Sequence, residues 1–277
     1  MKRIVTIQDI SCVGKCSLTV ALPIISAMGV EAGIIPTAVL STHTAFQNFT
    51  FHDLTDEIQK IADHWKSLNL SFDGIYTGYL GSFQQLDLMT SFFADFGGTG
   101  KLIFVDPCMA DNGKLYPGFT KEFALAMGKL CGKADIIAPN ITEACLMVGQ
   151  DYPGEDYDEA YIADLMQKLA ALGAKKVILK GVGYKKGLCG VLSYDRESGK
   201  STEYFHELLP VKFHGTGDIF ASVAFAALIL GKDIEEAVKL AADFKVLSIK
   251  KTLDHEDHNW YGVDFEAAFP ELLKRLA

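Results

Sequence analysis

Short runs rich in β-branched and aromatic residues alternate with longer amphipathic stretches, and this alternation restricts the fold more than any other feature of the chain. The runs at 3–8, 32–40, 74–77, 102–105, 136–138 and 176–179 predict strands. The stretches at 17–28, 54–68, 83–96, 119–131, 142–148 and 159–172 predict the helices between them. A β-α-β-α order joins parallel strands by right-handed crossovers and covers both faces of the sheet with helices. Leu102-Ile103-Phe104-Val105 is apolar at every position, as a strand buried on both faces requires. The last third differs. Runs at 190–194 and 203–208 flank the turn-rich Asp195-Arg196-Glu197-Ser198-Gly199 and predict an antiparallel edge, followed by helices at 217–230, 233–250 and 264–277. The expected class is α/β, a three-layer sandwich with a mostly parallel central sheet. No Pro- or Gly-rich linker and no fixed repeat interrupts it, so 1–277 reads as one domain.

Charge narrows the function. With 26 basic and 35 acidic residues the formal net charge is −9, and such a field repels nucleic-acid backbones and anionic lipid surfaces. The longest apolar run, 223–230, is far shorter than the ~20 residues of a membrane-spanning helix. Met1-Lys2-Arg3 leads straight into Ile4-Val5-Thr6-Ile7 and reads as a first strand rather than a secretory leader, so a cytoplasmic protein is expected. Cys12, Cys16, Cys108, Cys131, Cys145 and Cys189 have no paired spacing and read as reduced thiols; Cys12 and Cys16 lack the second ligand pair of a zinc site. An acidic protein that handles phosphate needs local positive potential from backbone amides, a lysine or a metal.

Ligands of open α/β sheets lie beyond the carboxyl ends of the strands. There the chain places Asp9 and Ser11, Thr42-His43-Thr44, Gly78-Tyr79, Asp106, Asn140 and Glu143, and Lys180-Gly181. Strand ends are polar in any case, but six in register point to one site. His214-Gly215-Thr216-Gly217-Asp218 opens an apolar helix, and its glycines let the first amides of that helix face an anion. Gly98-Thr99-Gly100 carries the same tripeptide but runs into a strand, so it is only a turn. Asp218 either complements the helix dipole or takes the proton of an attacking hydroxyl; spacing alone leaves both open. Neither a Gly-x-x-x-x-Gly-Lys-Ser/Thr loop nor a Gly-x-Gly-x-x-Gly turn after the first strand is present, which disfavours P-loop kinases and Rossmann dehydrogenases.

The motifs Ile7-Gln8, Val13-Gly14, Pro36-Thr37-Ala38-Val39-Leu40-Ser41, His43-Thr44, Thr77-Gly78-Tyr79-Leu80-Gly81, Val105-Asp106-Pro107, Ala138-Pro139-Asn140-Ile141-Thr142-Glu143 and Gly215-Thr216-Gly217-Asp218 span nearly the whole chain. Together they resemble the ribokinase-like small-molecule kinases, and among them the pyridoxal kinases of vitamin B6 salvage. The resemblance implies a ribokinase-like sandwich, ATP as co-substrate, Mg²⁺ and a homodimer. It implies that Asp218 is the base for the 5′-hydroxymethyl group of the vitamer and that Gly215, Thr216 and Gly217 stabilise the transferring phosphoryl. Glu143 with Asn140 would organise Mg²⁺ through water, Asp106 would lie beside the phosphates and metal, and Lys180 would reach the nucleotide. Tyr79 and Thr44 would line the vitamer pocket, with Asp9 and Ser11 against the ring. Asp9 stands where these kinases usually carry serine, and Ala45 where a polar ring contact is common, which leaves the vitamer preference open. Residues 108–117 fall where the family carries a mobile flap, although an ordinary surface loop has the same composition.

Lys15 and Cys16 lie in the loop after the first strand, where a vitamer aldehyde could reach them; an exposed lysine is the plainer reading of Lys15. His255-Glu256-Asp257-His258 reads as solvated surface rather than a metal cluster. Three other functions stay in play: a hydroxymethylpyrimidine (phosphate) kinase, a non-catalytic vitamer or nucleotide sensor on the same fold, and a sugar kinase.

Overall fold

The computed structural model describes residues 1–276; Ala277, the end of the predicted last helix, lies outside them. In chain order the elements are β1 (Arg3–Ser11), α1 (Leu18–Ala27), β2 (Glu31–Leu40), β3 (Phe51–Asp53), α2 (Thr55–Ser67), β4 (Gly74–Thr77), α3 (Phe83–Phe96), β5 (Leu102–Val105), β6 (Ala110–Asp111) and β7 (Lys114–Leu115). They continue with α4 (Lys121–Cys131), β8 (Ile136–Ile137), α5 (Ile141–Met147), α6 (Glu159–Ala171), β9 (Lys176–Val182), β10 (Leu188–Asp195), β11 (Ser201–Glu207), α7 (Thr216–Ile229) and α8 (Ile234–Leu253). A 3-10 turn at Phe265–Ala268 leads into α9 (Phe269–Leu276). The fold is α/β, with mostly parallel sheet strands flanked by helices, as the alternation predicts.

The described chain folds as two compact units. The first holds Met1–Gly78 and the segment from Leu209 onward. Its strands lie in the order β4-β1-β2-β3, with β1 parallel to both neighbours and β3 antiparallel at the edge. All but two residues of β1 are buried, as in a strand covered on both faces, and α1 packs against it. β1 keeps register with β2 from Arg3↔Glu31 to Gln8↔Pro36 and resumes at Ile10↔Val39, so β2 carries one extra residue opposite Asp9. Such a bulge bends the strand and re-aims the side chains beside it. Helix α7 is apolar on every side and buries ten of its residues, packing on α1 and α8 and meeting Tyr76 of β4 through Phe225.

The second unit, Tyr79–Leu208, has the order β5-β8-β9-β10-β11. β5, β8 and β9 are parallel, and β10 and β11 form the expected antiparallel edge. Three strands escaped the sequence pattern. β3 is three exposed residues with no alternation to read, and β6 and β7 have two residues each. The last pair forms a hairpin inside the predicted flap, turned by Asn112-Gly113 with positive φ at both residues (50° and 75°).

Candidate active site

In the first unit the site grows from the end of β1 and the start of α7. Gly215 caps α7 in the left-handed region (φ 77°), and a Cβ there would lie 2.0 Å from the Lys15 carbonyl oxygen, so only glycine fits. The amides of the first helical turn have no carbonyl partner one turn back and sit at the positive end of the helix dipole, the arrangement that holds anions. Asp218 lies in that turn, and its Oδ2 accepts the Ser17 backbone N–H at 3.0 Å. Across the 12–17 loop, Asp9 is buried and accepts the Ser11 hydroxyl at 3.0 Å. Burial pushes the Asp9 carboxyl up, while the hydroxyls of Ser17 and Ser11 pull it down. Burial also drives the Cys16 thiol well above its ordinary range, and the charges of Asp218 and Asp9 push it further. Cys16 is therefore a protonated thiol and a poor nucleophile at neutral pH.

Thr44 is exposed, whereas its neighbour His43, which the motif contains without a role, is buried. His43 Nδ1 accepts the Ala45 N–H at 3.2 Å, which leaves the proton on Nε2 to be donated to the Tyr261 carbonyl at 3.0 Å. Its ring packs 4.7 Å from that of His214 and 4.9 Å from Phe46. Burial lowers the His43 pKa, the Tyr261 carbonyl opposes this and His214 reinforces it. Lys15 is not the exposed lysine of the plainer reading. Its side chain is about three-quarters buried, and the ammonium is paired with Asp264 (2.6 Å) and Glu266 (2.9 Å), away from any free-amine chemistry.

In the second unit the structure brings Asp106, Asn140, Glu143 and Lys180 together. Lys180 Nζ donates to both oxygens of Asp106 at 2.8 Å, with both side chains buried. Asn140 and Glu143 form a capping box at the start of α5: Asn140 Oδ1 accepts the Glu143 N–H at 2.9 Å, and Glu143 Oε2 accepts the Asn140 N–H at 2.8 Å. Glu143 Oε1 accepts the Met109 N–H at 3.2 Å, Asn140 Nδ2 donates to the Ala110 carbonyl at 2.8 Å, and Thr142 Oγ1 accepts the Gly113 N–H at 2.9 Å. The β6–β7 hairpin is thus anchored on α5. Burial raises Asp106 against the pull of Lys180, and it raises Glu143 to about 8 despite Lys180, with Asp106 adding to the rise. Burial disfavours the charge of Lys180, but Asp106 and Glu143 outweigh it and hold the ammonium protonated. Tyr79 packs on Phe119 (5.6 Å between centroids), and Phe119 stacks on Phe123 (4.5 Å).

Two acidic side chains supply hard oxygen donors here, and among the described residues no three His, Cys, Asp or Glu side chains are grouped to chelate a metal. That donor set fits Mg²⁺, which keeps several waters and is held through one or two carboxylates and a nucleotide's phosphates. The sequence had no signal for the Ser17 amide on Asp218 or for the Lys15 ion pairs, since both depend on contacts more than 200 residues apart.

An α/β fold with a glycine-capped helix start, a carboxylate in its first turn and a buried Lys–Asp pair beside an Asn–Glu cap has the parts of a small-molecule kinase. The chain belongs to the phosphomethylpyrimidine kinase family, whose model matches residues 22–261. Among curated proteins it is 34% identical over 125 residues to a hydroxymethylpyrimidine/phosphomethylpyrimidine kinase of Aquifex aeolicus and 31% identical over 158 residues to a pyridoxine kinase of Bacillus subtilis. These alignments cover 43% and 55% of the chain and only about half of each relative (44% and 55%). Among solved structures, a protein of Bacteroides thetaiotaomicron provisionally named a phosphomethylpyrimidine kinase is 37% identical, with a TM-score of 0.94 over 98% of this chain and 93% of its own. A second crystal form of that protein, described as with pyridoxal, gives a TM-score of 0.93 over 98% of this chain and 95% of its own. A pyridoxal kinase of Lactobacillus plantarum is 28% identical, with a TM-score of 0.90 over 99% of this chain and 97% of its own.

Proposed function

We propose that the protein transfers the γ-phosphoryl of ATP to the 5′-hydroxymethyl oxygen of a B6 vitamer, giving the 5′-phosphate and ADP. The observation that carries the chemistry is the Asp218 carboxylate, fixed by the Ser17 amide at 3.0 Å in the first turn of α7. A carboxylate held there takes the proton of the attacking hydroxyl as the new O–P bond forms. The amides of Gly215, Thr216 and Gly217 stabilise the charge that spreads over the transferring group. Lys180, held protonated, and Asp106 serve the nucleotide phosphates. Asp106 and Glu143, with Asn140, would hold Mg²⁺ through its waters, and the ion when bound would neutralise phosphate charge. On this reading Asp9, Ser11 and Thr44 of the first unit contact the vitamer, and in the second unit Tyr79 does so and the β6–β7 hairpin acts as a flap. The choice of vitamer over pyrimidine rests on the similarity over 98% of the chain to a structure described as with pyridoxal.

ADP formation with pyridoxal, pyridoxine and pyridoxamine tests this reading. Asp218→Asn should lower kcat by about 10²–10⁴-fold with folding intact; undiminished turnover removes Asp218 from the role of base. The family model and the A. aeolicus relative favour a second reading, a hydroxymethylpyrimidine (phosphate) kinase. Competition between pyridoxal and hydroxymethylpyrimidine for one pool of enzyme separates the two. The proposal extends to one kinase built from the whole chain, working as a cytoplasmic homodimer on small molecules, without nucleic-acid or membrane partners. Sedimentation equilibrium tests the dimer. Among the described residues no helix is long and apolar enough to cross a membrane.

A further inference from the structure

The loop that carries the Ser17 amide is strained and tightly wedged. Gly14, Lys15 and Ser17 all have positive φ (135°, 51° and 53°), so two residues that ordinarily avoid this region adopt it within three positions. Such a conformation persists only where the surroundings over-determine it. Here the surroundings are glycines and an ion pair. The Lys15 carbonyl fills the space above Gly215, and a Cβ at Gly262 would lie 2.6 Å from the Lys15 Cβ. The Lys15 side chain leaves the loop and ends between Asp264 and Glu266, 5.6 Å from the centre of the Phe265 ring. That anchor is itself fixed: Val263 and Phe265 are buried, and the Asp264 N–H donates to Thr252 Oγ1 of α8 at 2.8 Å.

We propose that Lys15 is a positioning residue for the reaction: clamped to Asp264 and Glu266, it holds the 14–17 loop in the conformation that keeps the Ser17 amide on the Asp218 carboxylate. The inference rests on Asp218 acting as the base. Losing the clamp frees the loop to relax, the Ser17 hydrogen bond to the ionised carboxylate weakens, and Asp218 protonates at higher pH. Charged or titratable groups near this corner include Asp9 and Cys16, the Cys16 thiol feeling the charges of both Asp218 and Asp9, and His43 and His214, which pack on each other. The charge of Lys15 is matched by Asp264 and Glu266, so the lysine acts through the loop rather than through its own field.

The test follows the Ser17 amide resonance against pH in serine-labelled full-length protein, beside the pH profile of kcat for vitamer phosphorylation. In the wild type the amide reports the ionisation of Asp218, and in Asp218→Asn that titration disappears. Lys15→Met should move the amide midpoint and the acid limb of kcat upward together by about one pH unit. It should lower kcat about tenfold at neutral pH while the vitamer KM stays within about twofold. Lys15→Arg should restore both. Asp264→Asn with Glu266→Gln should reproduce the shift with the lysine still present, and it carries the same prediction if Lys15→Met does not fold. An unmoved midpoint and limb in the double variant, or a raised KM with an unmoved limb in Lys15→Met, overturns the proposal. Turnover that survives in Asp218→Asn overturns the base assignment instead, and the amide titration still decides whether the clamp sets the environment of Asp218.

Discussion

Replacing Gly215 by alanine separates the two demands made on that residue, and the other end of the same helix supplies the control. At Gly215 φ is +77° and a Cβ would lie 2.0 Å from the Lys15 carbonyl oxygen, where real contacts stay above 3.0 Å. At Gly231, just beyond the last turn of α7, φ is +92° and nothing lies within 4 Å. Alanine at Gly231 therefore costs only the left-handed backbone penalty, about 1–2 kcal/mol. Alanine at Gly215 adds to the same penalty a displacement of the Lys15 carbonyl by about 1 Å, and overpacking of this kind costs about 1–3 kcal/mol more. The carbonyl belongs to the loop that presents the Ser17 amide, so the displacement reaches Asp218, and a misplacement of about 1 Å can cost ~10²-fold in rate. Urea denaturation and steady-state kinetics on Gly215→Ala and Gly231→Ala provide the assay. Gly215→Ala should be the less stable by about 1–3 kcal/mol and should lose about two orders of magnitude in kcat, while Gly231→Ala keeps wild-type turnover. Equal stability losses, or full turnover in Gly215→Ala, would refute the reasoning that the Lys15 carbonyl and the helix start are one packed unit.

Two further variants read the second unit. Lys180→Met leaves the Asp106 carboxylate buried without its counter-charge and should cost about 3–5 kcal/mol, measured by urea denaturation. Adding Asp106→Asn should recover part of that loss, and no recovery would mean that the pair is not the cause. Between pH 4.5 and about 8, Glu143, raised by burial, keeps its proton in the metal-free folded protein while the unfolded chain ionises. Its contribution to stability is therefore complete below pH 4.5 and is lost as the pH rises towards about 8. Glu143→Gln should flatten the fall in urea midpoint between pH 5 and pH 8, and a slope equal to that of the wild type would exclude Glu143 as its source.

Much of the fold was legible because hydrophobic period is local. Leu102–Val105 and Glu159–Ala171 announce themselves within a few residues, and their predicted bounds agree with the structure to within a residue. Gly215 was legible for a similar reason: a glycine ahead of an apolar helix can be read without knowing what it touches. β3 and the β6–β7 hairpin were not, because elements of two or three residues form through contacts with other segments rather than through a pattern of their own. The environment of each candidate residue was also beyond reach. Asp9, Cys16 and Lys15 are near neighbours in sequence, yet Asp9 is buried with serine hydroxyls, Cys16 is held protonated, and Lys15 is spent on an ion pair 249 residues away.

By itself the amino-acid sequence determined the α/β class, the strand-end placement of the polar residues, and the glycine-led start of α7, since each follows from chain-local periodicity and backbone chemistry. Only the tertiary structure decided which charges are neutralised and which stay available for chemistry. Burial and partnership set those energies, and both are properties of segments that meet in space: Lys180 with Asp106, Lys15 with Asp264 and Glu266, and the Ser17 amide with Asp218.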